Sequence, residues 1–381
     1  MNIDPMTCPS DSCRADHDRN APEIDLLTPL TIRGITLRNR IVVSPMCQYC
    51  AKDGFADDWH LVHLGSRATG GAGLVFTEAT AVTAQGRISE GDLGIWKDEQ
   101  IEPLRRITAF IHRMGAESGI QLAHAGRKGS CLPPWEGRGK LIEKSHGRWP
   151  IVAPSPIAFN PTDPPPLELS IEGIKEVIAD FIAAAKRAVK AGFKIIEVHA
   201  AHGYLLHSFL SSLSNHREDR YGGSLENRMR FLLELVEELR KNIPENMPLF
   251  VRISATDWVD AGWDIEQSVK LSEALKGLGV DLIDVSSGGT VPYANIPVGP
   301  GYQVPFATKI RRQSSIMTGA VGLITEPGQA NDIVMSGSAD LVFLAREMLR
   351  NPYFALHAEH TLNQAPDWPL QYGYAISRPK K

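Results

Sequence analysis

The sequence predicts a (β/α)₈ TIM barrel with an N-terminal hairpin plug and a long insertion after the third strand. Short runs rich in β-branched residues alternate with longer amphipathic segments along the chain, as repeated strand–helix units do. The runs are apolar almost without interruption, which is typical of parallel strands that are buried on both faces. The first run, IVVSPMCQYC, carries no glycine-rich fingerprint, so a doubly wound open sheet is the weaker alternative.

Eight apolar runs are the predicted barrel strands, and they occupy residues 41–46, 73–79, 118–124, 194–200, 248–254, 281–287, 315–322 and 340–346. Amphipathic segments lie between them, and the predicted helices are 61–71, 99–115, 170–192, 224–241 and 265–279. The segment 170–192 opens on Ser170 and ends at Gly192, which are residue types that commonly cap a helix. Closure of eight such units into a barrel is the economical arrangement.

Two segments fall outside this alternation. Residues 28–40 have the pattern of a short hairpin that turns at Gly34 and closes the N-terminal end of the barrel. Residues 125–169 are too long for an ordinary connection, so we expect them to form a lid or rim. The predicted organisation is a flexible N-terminal tail, one barrel domain and a C-terminal tail, at residues 1–24, 25–362 and 363–381.

Charge and composition exclude several classes of partner. The net charge is −4 over 381 residues with no basic block, which argues against nucleic acid or an anionic membrane as a partner. No uninterrupted apolar run reaches the roughly 18 residues that a membrane-spanning helix needs. The first residues lack the basic-then-apolar layout of a signal peptide, so the predicted location is the cytoplasm. Cys47 and Cys50 form a lone CxxC, which lacks the four ligands of a structural zinc site.

Chemically active side chains cluster where the predicted strands end, which is the face of such barrels that carries the active site. The fourth strand ends in HAAHGY, with His199, His202 and Tyr204. Two histidines are too few ligands for zinc, and Arg252 on the fifth strand would repel a cation. No metal is therefore predicted.

The last two strands end in small residues, in GAVG up to Gly322 and in LARE with Ala345 and Arg346. Backbone N–H groups can approach a phosphate closely at such turns, and an arginine can bind its oxygens. Gln121 can read the edge of a heterocycle, and a buried Arg252 needs a negative charge to face. Together these residues fit FMN better than a phosphosugar.

Longer motifs make the chain similar to a known family. They are SPMCQY, TEATAV, IQLAHAGRK, EVHAAHGYLLHSFLSSLSNHR, DRYGGSLENRMRF and FVRISATD, and the similarity extends from about residue 25 to residue 375. These motifs resemble the Old Yellow Enzyme family of flavin-dependent ene-reductases, in its bacterial branch. The resemblance implies a barrel that binds one non-covalent FMN.

The resemblance also implies roles for individual residues. The positions that match flavin-contacting residues are Ser44, Pro45, Met46, Cys47, Ala79, Gln121, Arg252 and Arg346. Ala345 stands where this branch has glycine, so its backbone N–H can still serve but with less room. Tyr49 matches a tyrosine that contacts the substrate.

The histidine pair has a chemical role in this family. His199 and His202 match the pair that hydrogen-bonds the carbonyl oxygen of an α,β-unsaturated substrate, and Tyr204 matches the proton donor. The implied reaction begins when NADPH or NADH reduces FMN and leaves. The reduced FMN then passes hydride to Cβ of the enone while Tyr204 protonates Cα, so the implied kinetics are ping-pong.

The C-terminal tail departs from the family pattern. Some relatives complete a neighbouring subunit's pocket with an arginine shortly after a Gln-Tyr pair, but here Gln371 and Tyr372 are followed by no arginine until Arg378. Trp368 is the predicted substitute, as an aromatic wall of the substrate pocket. A homodimer or a larger homo-oligomer is expected by analogy with the family.

Three other functions stay open from the sequence. A flavin enzyme of the same class could act mainly on nitro compounds or nitrate esters. A phosphosugar aldolase or isomerase on the same barrel would need a base at a strand end, for which Lys128 is the nearest candidate. A non-catalytic binding protein would have no need of an intact histidine pair with a tyrosine donor.

Overall fold

The protein is described by a computed structural model that covers residues 24–137, 139–362 and 368–375. Its strands, in chain order, are β1 (Leu30–Ile32), β2 (Ile35–Leu37), β3 (Ile41–Val43), β4 (Leu74–Ala81), β5 (Glu117–Ala123), β6 (Val152–Ala153), β7 (Leu167–Glu168), β8 (Ile195–Ala200), β9 (Leu249–Ser254), β10 (Leu282–Ser286), β11 (Met317–Ala320) and β12 (Leu341–Leu344). Strands β3, β4, β5, β8, β9, β10, β11 and β12 form a closed parallel barrel in that order.

Closure joins the last strand to the first. Strand β12 pairs with β3 in parallel, with Val342 opposite Ile41. Every residue of β8, β9 and β10 is buried, as expected for strands with the barrel interior on one face and helices on the other. The predicted (β/α)₈ barrel and all eight predicted strands are confirmed.

The N-terminal hairpin closes the bottom of the barrel, as predicted. Strands β1 and β2 pair antiparallel, and Ile32 and Leu37 pack against the aromatic interior of the barrel. The turn is held to that end because Gly34 N donates to the carbonyl of Asn246, shortly before β9, at 3.1 Å. Inside the barrel, the rings of Phe76 and Phe343 stack with centroids 6.0 Å apart.

The helices, in chain order, are α1 (Asp58–Thr69), α2 (Ile101–Arg113), α3 (Pro134–Gly137), α4 (Ile171–Lys190), α5 (Leu205–Leu210), α6 (Leu225–Asn242), α7 (Ile265–Gly277), α8 (Val304–Ser314), α9 (Pro327–Met335), α10 (Arg346–Arg350) and α11 (Phe354–Thr361). Helix α4 begins after Ser170, whose hydroxyl accepts from Gly173 N, so the predicted cap is confirmed. Helix α1 begins three residues before its prediction because Asp57 caps it. The helices that follow β10, the sixth strand of the barrel, are short, and the sequence analysis does not predict them.

The insertion after β5 contains little regular structure. It includes α3 and the short parallel pair of β6 and β7. Its side chains border a cavity above the barrel mouth, together with Tyr49 and Tyr204. The insertion therefore sits where a rim was expected. No helix in the described ranges is both long and apolar enough to cross a bilayer.

Candidate active site

The predicted site residues other than Trp368 converge at one end of the barrel, where the parallel strands end. Strands β4, β5, β8 and β9 carry Ala79, Gln121, His199 and Arg252 near their C-terminal ends. The segments that follow β3, β8, β11 and β12 supply the remaining members, which are Ser44, Pro45, Met46, Cys47, Tyr49, His202, Tyr204, Gly322, Ala345 and Arg346. The barrel brings these distant positions together because all its strands run parallel.

The centre of the site is a cluster of three rings. The ring centroid of His199 lies 5.3 Å from that of His202 and 5.1 Å from that of Tyr204. His199 is only 4% exposed, and its Nδ1 has no hydrogen-bond partner among the described residues. A buried polar atom of this kind is costly unless it binds something, so Nδ1 is available to a ligand.

His202 is held by its backbone in a conformation that few side chains adopt. Its φ is +60°, in the left-handed region, and its N–H donates to Ser254 Oγ at 2.9 Å. The next residue, Gly203, has φ +74°, and a Cβ there would meet the carbonyl oxygen of Gly289 at 2.2 Å. Gly203 N also donates to Nδ1 of the buried His207 at 2.8 Å. The tight turn therefore aims the His202 ring into the site.

Burial keeps the two histidines neutral. It lowers the pKa of both rings well below the usual value, and the charge of Arg252 lowers each pKa further. A neutral imidazole carries a single N–H. Since His202 Nε2 lies 2.7 Å from Ser286 Oγ, a proton donated by Ser286 would leave the N–H of His202 on Nδ1.

Tyr204 is protonated at neutral pH. Tyr204 is half-buried, and desolvation by the surrounding protein raises its pKa well above the ordinary value. Ala79, His199 and Tyr204 line one small cavity. A neutral phenol beside two neutral imidazoles offers hydrogen-bond donors and a proton, but no metal-binding anion.

Arg252 lies within a buried charged network that the sequence reasoning missed. Its Nε is 3.1 Å from Asp284 Oδ2, and its Nη1 donates to Ser44 Oγ at 3.2 Å. Gln121 Nε2 donates to Glu197 Oε1 at 2.8 Å. Burial raises the pKa of Glu197 well above its usual range and that of Asp284 to about 6. The negative charge expected opposite Arg252 is thus supplied partly by the protein itself.

The segment after β3 forms another wall of the site. Ser44 is buried and Pro45 and Met46 are half-buried. Burial raises the pKa of the Cys47 thiol well above its usual value, so this residue is a thiol and not a thiolate. Tyr49 has φ +53° and its ring meets that of Trp135 edge-on at 5.8 Å.

The other cysteine of the CxxC motif faces a different group. Cys50 Sγ lies 3.8 Å from His60 Nε2, and Cys47, Cys50 and Cys131 are free thiols. Ligand atoms of Cys50, Asp57 and His60 lie within 4.8 Å of one another. Nδ1 of His60 accepts from the N-cap of α1, so the histidine already has a structural role.

A cavity of about 150 Å³ lies at the ends of β11 and β12. Gly322, Ala345 and Arg346 line it, as the phosphate-site prediction requires. Gly322 has φ +125°, and a Cβ there would meet Tyr302 Cε1 at 3.0 Å, so a larger residue would close the cavity. In the described part of the chain no carboxylate forms an ion pair with Arg346, which leaves its charge for a ligand.

Within its own subunit, Trp368 lies away from the candidate site. Its ring stacks on Tyr353, with centroids 6.0 Å apart and an interplanar angle of 10°, and also meets His357 at 6.1 Å. It lines neither the cavity beside Tyr204 nor the one beside Arg346. Trp368 therefore does not form a wall of its own subunit's pocket, and a contact with a neighbour's pocket stays a prediction.

Comparison with known proteins shows to which family the chain belongs. The sequence profile of the NADH:flavin oxidoreductase / NADH oxidase family matches residues 25–365. The chain belongs to this family. It is 50% identical over 349 residues to an NADPH dehydrogenase of Bacillus subtilis strain 168, over 91% of this chain and 98% of that protein. The predicted Old Yellow Enzyme resemblance is confirmed, and the phosphosugar alternative is set aside.

Solved structures of this family share the fold. Morphinone reductase superposes with a TM-score of 0.75 at 24% identity, over 92% of this chain and 98% of that one. A 2-naphthoyl-CoA reductase complex superposes with a TM-score of 0.79 at 26% identity and covers 89% of this chain. This chain spans about half of that longer protein, 52% of its length.

Membership of the family makes the protein an NAD(P)H-dependent oxidoreductase with FMN as its cofactor. The residues present fit that group. His199 Nδ1 and Glu197 Oε2 are buried at this end of the barrel without a hydrogen-bond partner among the described residues. The cavity beside Arg346 provides a cation for a phosphate, and Arg252 provides a second cation near the barrel axis.

Proposed function

We propose that this protein is an ene-reductase, which reduces the C=C bond of α,β-unsaturated carbonyl compounds. The observation that carries the proposal is the unpartnered, buried Nδ1 of His199 beside His202 and Tyr204. Two donors for one oxygen and a nearby proton donor suit a reaction that makes an enolate and then protonates it.

The two histidines would bind the substrate's carbonyl oxygen. Each neutral ring can donate one N–H, and His202 is held in place before substrate arrives, its backbone N–H by Ser254 and its ring by Ser286. Hydrogen bonds to the carbonyl oxygen strengthen as negative charge develops there, so they favour the transition state more than the ground state. Because both rings are neutral, each N–H is a very weak acid and acts on the oxygen by hydrogen bonding without giving up its proton.

Tyr204 would protonate Cα. Its raised pKa means that the phenol keeps its proton until the more basic enolate carbon is present. The tyrosine lines two cavities, one of them between the barrel end and the insertion, where a substrate could lie beside it. Tyr49, which lines the same cavity as Tyr204, would contact the substrate.

The FMN site is proposed to use the predicted residues. Arg346 with the backbone of Gly322 and Ala345 would hold the phosphate, and Gln121 with Arg252 would face the polar edge of the ring system. The remaining predicted contacts are Ser44, Pro45, Met46, Cys47 and Ala79. When bound and reduced by NADPH or NADH, FMN supplies the hydride that the substrate takes at Cβ.

A visible spectrum with a para-substituted phenol tests the site directly. The purified protein is expected to show a flavin band, and titration with the phenol is expected to add a long-wavelength charge-transfer band. That band requires a phenolate held by His199 and His202 over the flavin. A flavin band without it, in both the parent protein and a His199→Phe control, would remove the carbonyl-binding role from the histidines.

Ser286→Ala is expected to weaken phenol binding by roughly tenfold at most, which is the usual worth of one hydrogen bond. The change removes the hydroxyl at 2.7 Å from His202 Nε2 and so frees the ring to adopt the other tautomer. Ser287→Ala is the matched control, because Ser287 Oγ donates to the same Gln303 Oε1 that Ser286 Oγ contacts at 3.4 Å, while only Ser286 lies beside His202 Nε2. Equal phenol affinities in the two variants would show that Ser286 does not set the His202 tautomer.

The nitro-reductase alternative differs in its need for Tyr204. Reduction of a nitro group or a nitrate ester places no proton on carbon, so this activity should survive Tyr204→Phe. A protein that turns over nitro compounds but no enone would replace the ene-reductase proposal with this alternative.

A homo-oligomer is proposed as well. Leu370 and Tyr374 in the C-terminal segment are 93% and 92% exposed, which is unusual for apolar side chains grouped on one segment. Light scattering on the full chain, and on a chain that ends at residue 362, measures whether this segment holds subunits together. A cytoplasmic location remains a prediction.

A further inference from the structure

The insertion and the barrel enclose a second cavity, of about 180 Å³, next to the histidine site. Tyr49 and Tyr204 form the side towards the barrel. Apolar side chains, among them Ile88, Leu132 and Phe159, line most of the remainder. The charged lining groups are Arg127, Lys128 and Asp163. Because Tyr204 lines this cavity, a substrate that binds beside Tyr204 would have room to extend into it.

Two cations in this cavity form no ion pair with any carboxylate of the described residues, although the charge of Asp257 acts on Arg127 from a longer distance. Lys128 Nζ donates to the carbonyl oxygens of His202 at 2.8 Å and Gly289 at 3.0 Å, which uses two of its three hydrogens. Arg127 is buried and donates from Nη1 and Nη2 to carbonyl oxygens, but its Nε has no hydrogen-bond partner in the part of the chain that the structure describes. In residues 24–137, 139–362 and 368–375 no carboxylate lies within ion-pair distance of either side chain. Asp163, in the same cavity, is bound instead by Asn160 Nδ2 at 2.8 Å.

Such cations are energetically unfavourable in the free protein. Burial lowers the pKa of Lys128 to about 8 and that of Arg127 to about 10. The Lys128 ammonium also lies 4.4 Å from the ring of Phe159 and 5.2 Å from that of Tyr204, which are weaker partners than a carboxylate. An anion that entered the cavity would offset the cost of burying these charges.

We propose that this cavity is an anion subsite, so that the substrate class of the enzyme is α,β-unsaturated carbonyl compounds that carry a carboxylate. The carbonyl oxygen lies against His199 and His202, and the carboxylate lies against Lys128 with Arg127 behind it. The inference rests on the proposed function, because it assigns the second end of the same substrate. The simpler role for Lys128 is to tie together the loops that carry His202 and Gly289.

The test compares a 4-oxo-2-enoate with its neutral methyl ester, in parent holoenzyme and in variants. Lys128→Met is expected to lower kcat/KM for the acid by about tenfold or more and for the ester by less than about threefold, since truncating one partner of a buried charge pair is costly. Lys128→Arg, which keeps the charge, is expected to restore most of the preference for the acid. Lys270→Met removes an exposed lysine on α7 and serves as the control.

The outcomes separate the two roles. Equal losses for acid and ester would overturn the subsite and leave Lys128 as a loop anchor. A loss confined to the reaction with NADPH, and absent with a phosphate-free dihydronicotinamide, would also overturn it, because the cavity would then serve the nucleotide's phosphates. Failure of the parent to reduce even the ester would instead contradict the proposed function.

A second measurement needs no variant. Binding of 4-hydroxyphenylacetate and of neutral 4-hydroxyphenylacetamide to the oxidised holoenzyme is followed through the flavin spectrum. Binding that is at least about tenfold tighter for the acetate supports the subsite. Equal affinity, or tighter binding of the amide, overturns it whether or not the Lys128 variants fold.

Discussion

Tyr204→Phe is expected to slow the reduction of an enone by about 10²-fold or more, which is the usual contribution of a positioned general acid. The phenylalanine keeps the ring packed against His199 but has no proton to give to Cα. Rapid mixing of the reduced holoenzyme with cyclohexenone under anaerobic conditions measures this step alone. The rate of reduction by NADPH is expected to stay within about twofold of the parent, because that step uses no protein proton.

A quinone is the matched control substrate for this variant. It accepts reducing equivalents on oxygen and needs no proton on carbon, so its reduction by Tyr204→Phe should match the parent. Enone reduction at the parent rate would show that another group protonates Cα. Equal slowing with enone and quinone would instead show that Tyr204 shapes the pocket and does not act as the acid.

Arg252→Met is expected to lower the free energy of unfolding by about 3–5 kcal/mol, the usual cost of breaking a buried ion pair from one side. Arg252 is 6% exposed and Asp284 is fully buried, so the carboxyl would be left without its cation. The same change is expected to abolish retention of FMN during gel filtration. Asp284→Asn is the matched variant, since it removes the partner's charge and keeps the shape.

The pH dependence of this effect follows from the raised pKa of Asp284. Burial raises that pKa to about 6 although the charge of Arg252 lowers it. A carboxyl with a raised folded-state pKa contributes stability at acid pH and loses it as the pH rises through about 6. Without the charge of Arg252, this loss of stability with rising pH is larger. The difference in thermal unfolding temperature between Arg252→Met and the parent should therefore grow from acid to mildly alkaline pH. A difference that shrinks as pH rises would contradict the assigned ion pair.

Most of the barrel could be predicted because its signals are local. Strands such as LVFL of β12 are apolar throughout, and helix α4 has both a long periodic pattern and a serine cap. The helices after β10 lacked such signals, since α8 and α9 are short and begin at or next to proline. Their stability comes from packing against neighbouring strands, which no window of sequence reports.

The sequence predicts which residues form the site but not the hydrogen bonds that orient them. His199, His202 and Tyr204 lie within a few positions of one another, so their grouping was visible in HAAHGY. Their orienting partners come from elsewhere: Ser254 ends β9 and Ser286 ends β10. The sequence does carry one signal for buried polar partners, which is a polar or acidic residue inside an otherwise apolar strand, as at Glu197 and Asp284. Such a residue is costly to bury without a partner.

The sequence by itself determined the barrel, the FMN family and the histidine–tyrosine group, because apolar period, strand-end position and motif are all properties of short segments. Tertiary structure alone decided how charges are compensated. It placed Asp284 beside Arg252, and among the described residues it left Arg127 and Lys128 without an ion-paired carboxylate, although Asp163 lines the same cavity. It also placed Trp368 on Tyr353, away from its own pocket. Electrostatic energy depends on distances and burial between segments far apart in the chain, and only folding sets these.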